Sequence, residues 1–389
     1  MRLLLLCFLL YGSILGAVTE QSNNRAALAT KAILAIDQQL GLTASELVEI
    51  SLFIETDFPK YYQNKEYYLS AQKTGLPRSL EYDPETGYRF IHLEAKNIPY
   101  LGKGGRKLVS KSILYDVVHP EIVARCQQTV PFDQELHIMK SLHGSKGVVQ
   151  MRAVTEHEEN GIHYYTMFCK LYTPGPISKV ICRSRYHFTT SEKIAIAFDL
   201  VRGLVALQKQ GIIHRDLGHR NCLIHITEKK KDKRRIEVAI TDFGWAVHVS
   251  KVQGLQAQGH TAYTAPEGIT FHRLLSNEYF GIDLFAIGSL LYQIVYDIKP
   301  PWLHTNLIKN ELPSDIRYRL HVALIQKELE KQNRELMHRI SRMKKCGLEE
   351  ALESIVLQMV NPDPVKRGRA DEIYKKLETL MKQRDYIFK

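Results

Sequence analysis

One short run constrains this chain more than any other: His214-Arg215-Asp216-Leu217-Gly218-His219-Arg220-Asn221, placed just after Gly211-Ile212-Ile213. An Asp followed five residues later by an Asn can serve one bound metal nucleotide in two roles. The Asp accepts or orients the proton of an attacking hydroxyl, while the Asn carbonyl coordinates a magnesium ion. Asp242-Phe243-Gly244 follows the next pair of strand-like segments, offering a carboxylate for the remaining metal bonds. Gly244 lets the chain turn at once. Ala265-Pro266-Glu267 comes later still. Each triplet alone occurs by chance. In this order, each after the element expected before it, accident becomes improbable.

The rest of the chain must supply a fold for this run. Strand-like segments begin at Tyr88-Arg89-Phe90-Ile91-His92-Leu93 and recur to about residue 170, interrupted by a helical pattern from Phe132 to Leu142. From about Thr190 the pattern is mainly helical, with strands returning at Cys222–Ile226 and Ile236–Ile240. The charged stretch Thr227–Arg235 joins them and reads as a solvated hairpin tip. A mostly β half followed by a mostly α half implies two lobes. No internal repeat is visible. With 44% hydrophobic and 24% charged residues, the chain is neither disordered nor fibrous.

Six cysteines (Cys7, Cys126, Cys169, Cys182, Cys222 and Cys346) stand far apart, without the spacing of a zinc knuckle or a redox dithiol. They are too few for a disulfide framework and read as small buried hydrophobes. The net charge of +11 favours acidic partners, phosphates or anionic membranes, but the basic residues are spread along the chain. Nothing points to a specific nucleic acid.

The start differs in kind. Arg2 precedes an apolar run from Leu3 to Val18, followed by polar Thr19-Glu20-Gln21-Ser22. One charge, a short apolar region and small residues near its end describe a secretory signal over residues 1–17, and hence export. An uncleaved membrane anchor or a cytoplasmic protein is the alternative. No other segment reads as a bilayer span. Residues 18–87 read as a helical extension and connector: apolar residues recur at helical spacing from Ala27 to Phe53, with a helix start at Thr43-Ala44-Ser45-Glu46. The Tyr-rich stretch from Tyr61 to Gly87 is the connector.

Over about residues 88–385 the sequence resembles the eukaryotic-type protein kinase superfamily. The resemblance implies an α+β, two-lobed protein-kinase-like fold, with a small β-rich N-lobe and a larger helical C-lobe. It implies ATP and Mg2+ as cofactors and a protein substrate. It assigns Asp216 as the residue that orients the substrate hydroxyl, Asn221 and Asp242 to the metal, and His214 and Phe243 to internal support. Asp283, in Asp283-Leu284-Phe285-Ala286-Ile287-Gly288, matches the residue that holds the catalytic-loop backbone. Arg367, in Asp363-Pro364-Val365-Lys366-Arg367, matches the partner of Glu267.

The nucleotide-binding half departs from the family pattern. In Leu101-Gly102-Lys103-Gly104-Gly105-Arg106-Lys107-Leu108-Val109, Gly102 and Gly104 fit the glycine-rich loop, but Lys107 replaces the third glycine. Gly102, Gly104 and Gly105 allow backbone amides close to phosphate oxygens, and Val109 and Ala124 line the nucleotide side by the same resemblance. The strand that should carry Val-Ala-x-Lys offers Val123-Ala124-Arg125-Cys126. Glu135 matches the helix glutamate that pairs with that lysine. Either the lysine is lost and the protein is a binding scaffold, or its charge has moved to Lys107. The second pattern is similar to the with-no-lysine kinases, and the two exchanges occurring together favour it. Arg125 is the weaker substitute, because strand alternation points it away from the face of Cys126.

The substrate signature is mixed. Serine/threonine kinases place a lysine where this chain has Gly218, whereas Arg220 resembles the tyrosine-kinase arrangement. Gly259-His260-Thr261-Ala262-Tyr263-Thr264 looks closer to the serine/threonine loop, and the balance tilts that way. Residues 315–347 form a long helical pattern with Leu320, Leu324, Leu336, Ile340 and Met343 on one side and a basic surface elsewhere. Most such stripes oppose a core face to a solvated one. An acidic partner or a membrane surface is the alternative use.

Overall fold

The computed structural model describes residues 68–69, 79–92, 100–103, 107–114, 121–181, 186–229, 233–252, 263–269, 278–303, 314–342 and 347–387. The apolar leader, the helical extension with Thr43, and Gly104 and Gly105 lie outside them. Two compact units emerge. The first lies within residues 1–131 and 151–171, and the second comprises residues 132–150 and 172–389. The two lobes expected from the order of strands and helices correspond to these units.

The first unit is built on one antiparallel sheet. Its strands are β1 (Tyr68–Leu69), β2 (Ser79–Tyr82), β3 (Arg89–His92), β4 (Gly102–Lys103), β5 (Leu108–Leu114), β6 (Glu121–Gln128), β7 (Met151–Glu159) and β8 (Ile162–Lys170). They run in the order β1-β2-β3-β5-β6-β8-β7, with β4 paired to β5 alone. The sheet thus reaches upstream of residue 88, into the stretch expected to be a connector. The reason is local. Asp83 accepts hydrogen bonds from the amides of Glu85 and Thr86, at 3.1 and 3.3 Å, closing a turn that ends at Gly87 with φ +73°. That turn folds β2 back onto β3, pairing Tyr82 with Arg89 and Ser79 with His92.

Phe90, Leu114, Val123, Ala153 and Phe168 form the core of one sheet face, with the Phe90 and Phe168 rings stacked at 3.7 Å. Arg125 belongs to this same buried face. Its Nε lies 2.7 Å from Glu81 Oε1, and the Thr155 hydroxyl donates to Glu81 Oε2 at 2.7 Å. Arg125 is therefore committed to tying β6 to β2 and β7, and it points away from the face of Cys126, as strand alternation requires. Removing one partner leaves the other charged and buried, so Arg125→Met should cost about 3–5 kcal/mol in a denaturant titration. Glu81→Leu with Arg125→Met should recover most of that loss. A single variant as stable as wild type would show that the pair contributes nothing.

The second unit is mainly helical. Its long helices are α1 (Asp133–Ser141), α2 (Thr190–Lys209), α3 (Glu278–Tyr296), α4 (Ser314–Ser341), α5 (Leu348–Met359) and α6 (Ala370–Ile387). Helix α1 interrupts the strands of the first unit in sequence but belongs to the second in space. The α2 start is set by Thr189, whose hydroxyl accepts from the Glu192 amide while Glu192 reaches back to the Thr189 amide. Ile194, Ala197, Leu200, Val201 and Leu204 bury its inner face.

Short strands complete the unit: β9 (Pro174–Pro176), β10 (Ile212–Ile213), β11 (Cys222–Lys229), β12 (Lys233–Ile240) and β13 (Val247–His248). β11 and β12 form a hairpin longer at its tip than the apolar pattern suggested, and β9 pairs with β11. Helix α3 passes a test of length and composition for crossing a membrane, contrary to the sequence reading that no further segment does. It is instead the core helix, with Leu284, Phe285, Ile287, Leu290 and Leu291 fully or almost fully buried.

Helix α4 corrects the expected apolar side. Leu336 is buried as expected and Leu324 and Ile340 are half-buried, but Leu320 is exposed and the inner positions go to His321, Ile325, Leu329 and Gln332; Met343 lies outside the described residues. His321 packs edge-on against Phe285, and burial holds its imidazole down to about 4. As the pH falls below the ordinary histidine value, the unfolded chain binds a proton that the folded one refuses. Stability should therefore be lost from about pH 6.5 down to about pH 4, by on the order of 3 kcal/mol. His321→Phe should flatten that slope in thermal melts against pH; an unchanged slope would assign it to other groups.

Candidate active site

The run from His214 to Asn221 forms a loop in the second unit, held from several sides. Asp283 of α3 is buried, and its carboxylate accepts the amide of His214 at 2.7 Å and that of Arg215 at 3.0 Å. Burial pushes this carboxyl above the usual carboxylate range, against the opposing pull of His214 and of the two amides. His214 is itself fully buried. Its Nε2 lies 2.9 Å from the carbonyl of Thr241, and its ring packs on Phe243 at 5.2 Å. The support roles expected of Asp283, His214 and Phe243 are visible in this geometry.

Within the loop, the Asn221 amide nitrogen donates to the Asp216 carbonyl at 2.8 Å and to Asp216 Oδ2 at 2.9 Å. These bonds fix the carboxylate and commit the Asn221 nitrogen as donor, which leaves Oδ1 as the acceptor of that side chain. The next step of the chain is stitched to Asn221 too, since the Thr241 amide donates to its carbonyl at 3.0 Å. Asp242 follows with φ 64° and ψ 73°, the left-handed conformation. An Asp adopts that conformation at a cost, so its placement is set by the surrounding structure.

Two further anchors place Asp242. The Ile240 amide donates to the Gly147 carbonyl at 2.9 Å, and the Val149 amide to the Ile240 carbonyl at 2.9 Å. Gly147 has φ +80° and lies against Gly203 of α2 so closely that a Cβ on either would strike the other's backbone. Beyond Asp242, the Gln134 side chain of α1 donates to the Ala246 carbonyl, joining α1 to this segment. Glu135 is on the same helix and buried. Neither Gln134 nor the Gly147–Gly203 contact was legible as part of the site, because each depends on chain segments far apart in sequence.

Gly218 has a reason of its own. A Cβ there would lie 3.0 Å from the Tyr263 ring, which also packs on His219 at 5.5 Å. Tyr263 thus covers the position where a lysine would have to start. Arg220 is exposed. Glu267 and Arg367 form the expected pair, with Nη1 to Oε1 at 2.6 Å and Nη2 to Oε2 at 3.2 Å. Arg367 is fully buried and also donates to the carbonyls of Gly281 and Asn361.

The first unit carries the other candidate residues. Gly102 of β4 pairs with Val109, and Val109 lies directly across from Cys126. Lys111 lies across from Ala124. By strand alternation, Lys107, Val109 and Lys111 share the face that carries Ala124 and Cys126, opposite the Phe90–Phe168 core. Lys107 stands just before β5 and is partly buried. Two lysines therefore flank the cross-strand partner of Cys126, and diagonal neighbours at this distance are within reach of a long side chain.

A family model described as the protein kinase domain matches residues 114–377. The chain is 26% identical to calcium-dependent protein kinase 10 of Arabidopsis thaliana over 270 residues, 69% of this chain and 41% of that protein. It is 27% identical to the serine/threonine-protein kinase PLK2 of Mus musculus over 237 residues, 58% of this chain and 31% of that one. It is 26% identical to a dual serine/threonine and tyrosine protein kinase of Apis mellifera over 162 residues, 41% of this chain and 15% of the relative. The chain spans less than half the length of each of these relatives. The match begins at residue 114, after the glycine-rich stretch and Lys107, so that departure is read from its residues alone. The chain belongs to the eukaryotic-type protein kinase superfamily.

Proposed function

We propose that the chain is an active, ATP- and magnesium-dependent protein kinase that transfers the γ-phosphoryl group to protein hydroxyls, serine and threonine ahead of tyrosine. The observation that carries this reading is the Asn221 amide bound to the Asp216 carboxylate at 2.9 Å, in a loop whose backbone Asp283 holds. A scaffold has no need of a carboxylate so placed. Asp216 would orient the substrate hydroxyl and take its proton. Asn221 Oδ1 and the Asp242 carboxylate are hard oxygen donors, and magnesium bound to a nucleotide takes only one or two such ligands beside phosphate and water. That donor set fits. Bound magnesium supplies neutralisation of charge on the phosphate oxygens.

Lys107 would give the phosphates the cation that Cys126 does not. Gly102, Gly104 and Gly105 would offer amides to the phosphates, while Val109 and Ala124 would pack on the base. Glu135 would orient the cation, and Arg220 would face the transferred phosphoryl group in place of the lysine that Tyr263 keeps from position 218. The serine/threonine preference rests on the loop before Ala265-Pro266-Glu267 and on a relative named for that activity, the kinase PLK2. The leader at residues 1–17 supports export; an intact Met1 on the purified cellular protein would rule that part out.

Cys126 supports a second reading, a kinase-fold binding module without transfer activity. Thermal unfolding of the full chain with and without magnesium ATP tests nucleotide use first. At a hundredfold excess over Kd, a ligand adds about 2.7 kcal/mol to the folded state. A rise in Tm that needs magnesium and is lost in Asp242→Asn is expected. An unchanged Tm in saturating magnesium ATP would sink nucleotide binding.

A further inference from the structure

Helix α4 carries more cationic surface than the fold uses. Its rotation is fixed from within. The Tyr292 hydroxyl donates to Glu328 Oε1 at 2.7 Å, the Gln332 amide donates to the same oxygen at 2.8 Å, and Arg339 pairs with Glu353 of α5. Together with buried His321, Ile325, Leu329 and Leu336, these contacts turn the opposite face to solvent.

On that face stand Lys327, Lys331, Arg334 and His338, at steps of four, three and four residues, with Arg342 in the turn just past the helix end. At 100° per residue those steps keep the four helical residues in a single file, which runs about 17 Å along the helix axis. All five are exposed. None joins an ion pair with a described residue, whereas Arg339, off the file, does. Exposed Glu330 and Glu335 flank the file at helical spacing and offset part of its charge, so the face is net basic with cations in the majority.

We propose that this file docks an acidic segment of a protein partner, a run of Asp and Glu long enough to span it. Charge complementarity selects the chemistry. The distribution of apolar residues selects a protein over a membrane. A helix that lies on a bilayer inserts an apolar face, but the apolar face of α4 is spent on the core. Exposed Ile316 and Leu320 lie N-terminal to the file, and only Met337 stands beside it.

The test reads binding alone, so its failure leaves the kinase reading standing, and a chain without transfer activity could still pass it. The full chain is titrated into a fluorescein-labelled decaglutamate peptide, with anisotropy read at low and at physiological salt. The proposal expects salt-sensitive binding, weakened at least about tenfold by the combined variant Lys327→Gln, Lys331→Gln, Arg334→Gln. The three side chains are exposed, so thermal unfolding should match wild type and confirm that the variant is folded. No binding by wild type, or equal binding by the variant, overturns the proposal. Phosphatidylserine vesicles form the second arm. Vesicle binding abolished by the triple substitution while peptide binding persists would assign the file to membranes and overturn it as well.

Discussion

Asp216→Asn lowers phosphoryl transfer by about a hundred- to ten-thousandfold, the range that a positioned general base contributes. The substitution keeps the shape of the side chain and an acceptor for the Asn221 amide, now 2.9 Å from Oδ2. It removes only the charge and the basicity. The loop should hold, because its backbone is fixed from elsewhere: Asp283 accepts the His214 and Arg215 amides, and the Thr241 amide bonds to the Asn221 carbonyl. The magnesium-ATP shift in Tm should therefore survive in this variant. Asp216→Ala should lose as much turnover with a somewhat larger drop in stability. Full activity in Asp216→Asn, measured at saturating substrate, would remove Asp216 from the chemistry.

Lys107→Met should depress turnover by about a hundred- to thousandfold, as loss of a preorganised charge contact to a reacting group does. A paired exchange motivates this outcome: a lysine where the glycine-rich loop ends, and a cysteine where the next strand should carry lysine. The register adds a competitor. Lys111 shares the face of Cys126 and lies across from Ala124, so both lysines must be tested. Cys126→Ala should be nearly silent, and Lys111→Met should change turnover far less than Lys107→Met. Lys107→Gly combined with Cys126→Lys should restore part of the lost rate, since the phosphates need only a point charge of the right reach. A large loss in Lys111→Met with none in Lys107→Met would move the cation to β5.

Much of the second unit was legible because its key residues are close in sequence. The loop from His214 to Asn221, the Asp242 triplet and the Glu267 triplet each carry their identity in a few adjacent positions. Two long-range contacts were also anticipated by resemblance, and Asp283 and Arg367 make them. What escaped depends on pairing across distance. The Asp83–Gly87 turn recruits residues 79–82 into the sheet, yet it sat in a stretch whose tyrosines and glycines read as a connector. Glu81 gave no sign that it would meet Arg125, 44 residues on. The α4 face was misjudged because a polar residue, His321, takes a core position while Leu320 does not. Hydrophobicity alone cannot choose correctly there. The tight approach of Gly147 to Gly203, which places Asp242, has no signature in either glycine's neighbours.

Transfer of label from γ-labelled ATP is the most direct measurement of the central claim that this chain catalyses phosphoryl transfer. The full wild-type chain is incubated with labelled ATP and a mixed protein substrate, with magnesium and with a chelator, followed by phosphoamino-acid analysis. Magnesium-dependent label on serine and threonine, absent with Asp242→Asn, is the result expected. Nucleotide-dependent stabilisation with no label on substrate or on the chain itself, at any magnesium concentration, would contradict it and leave a nucleotide-binding scaffold.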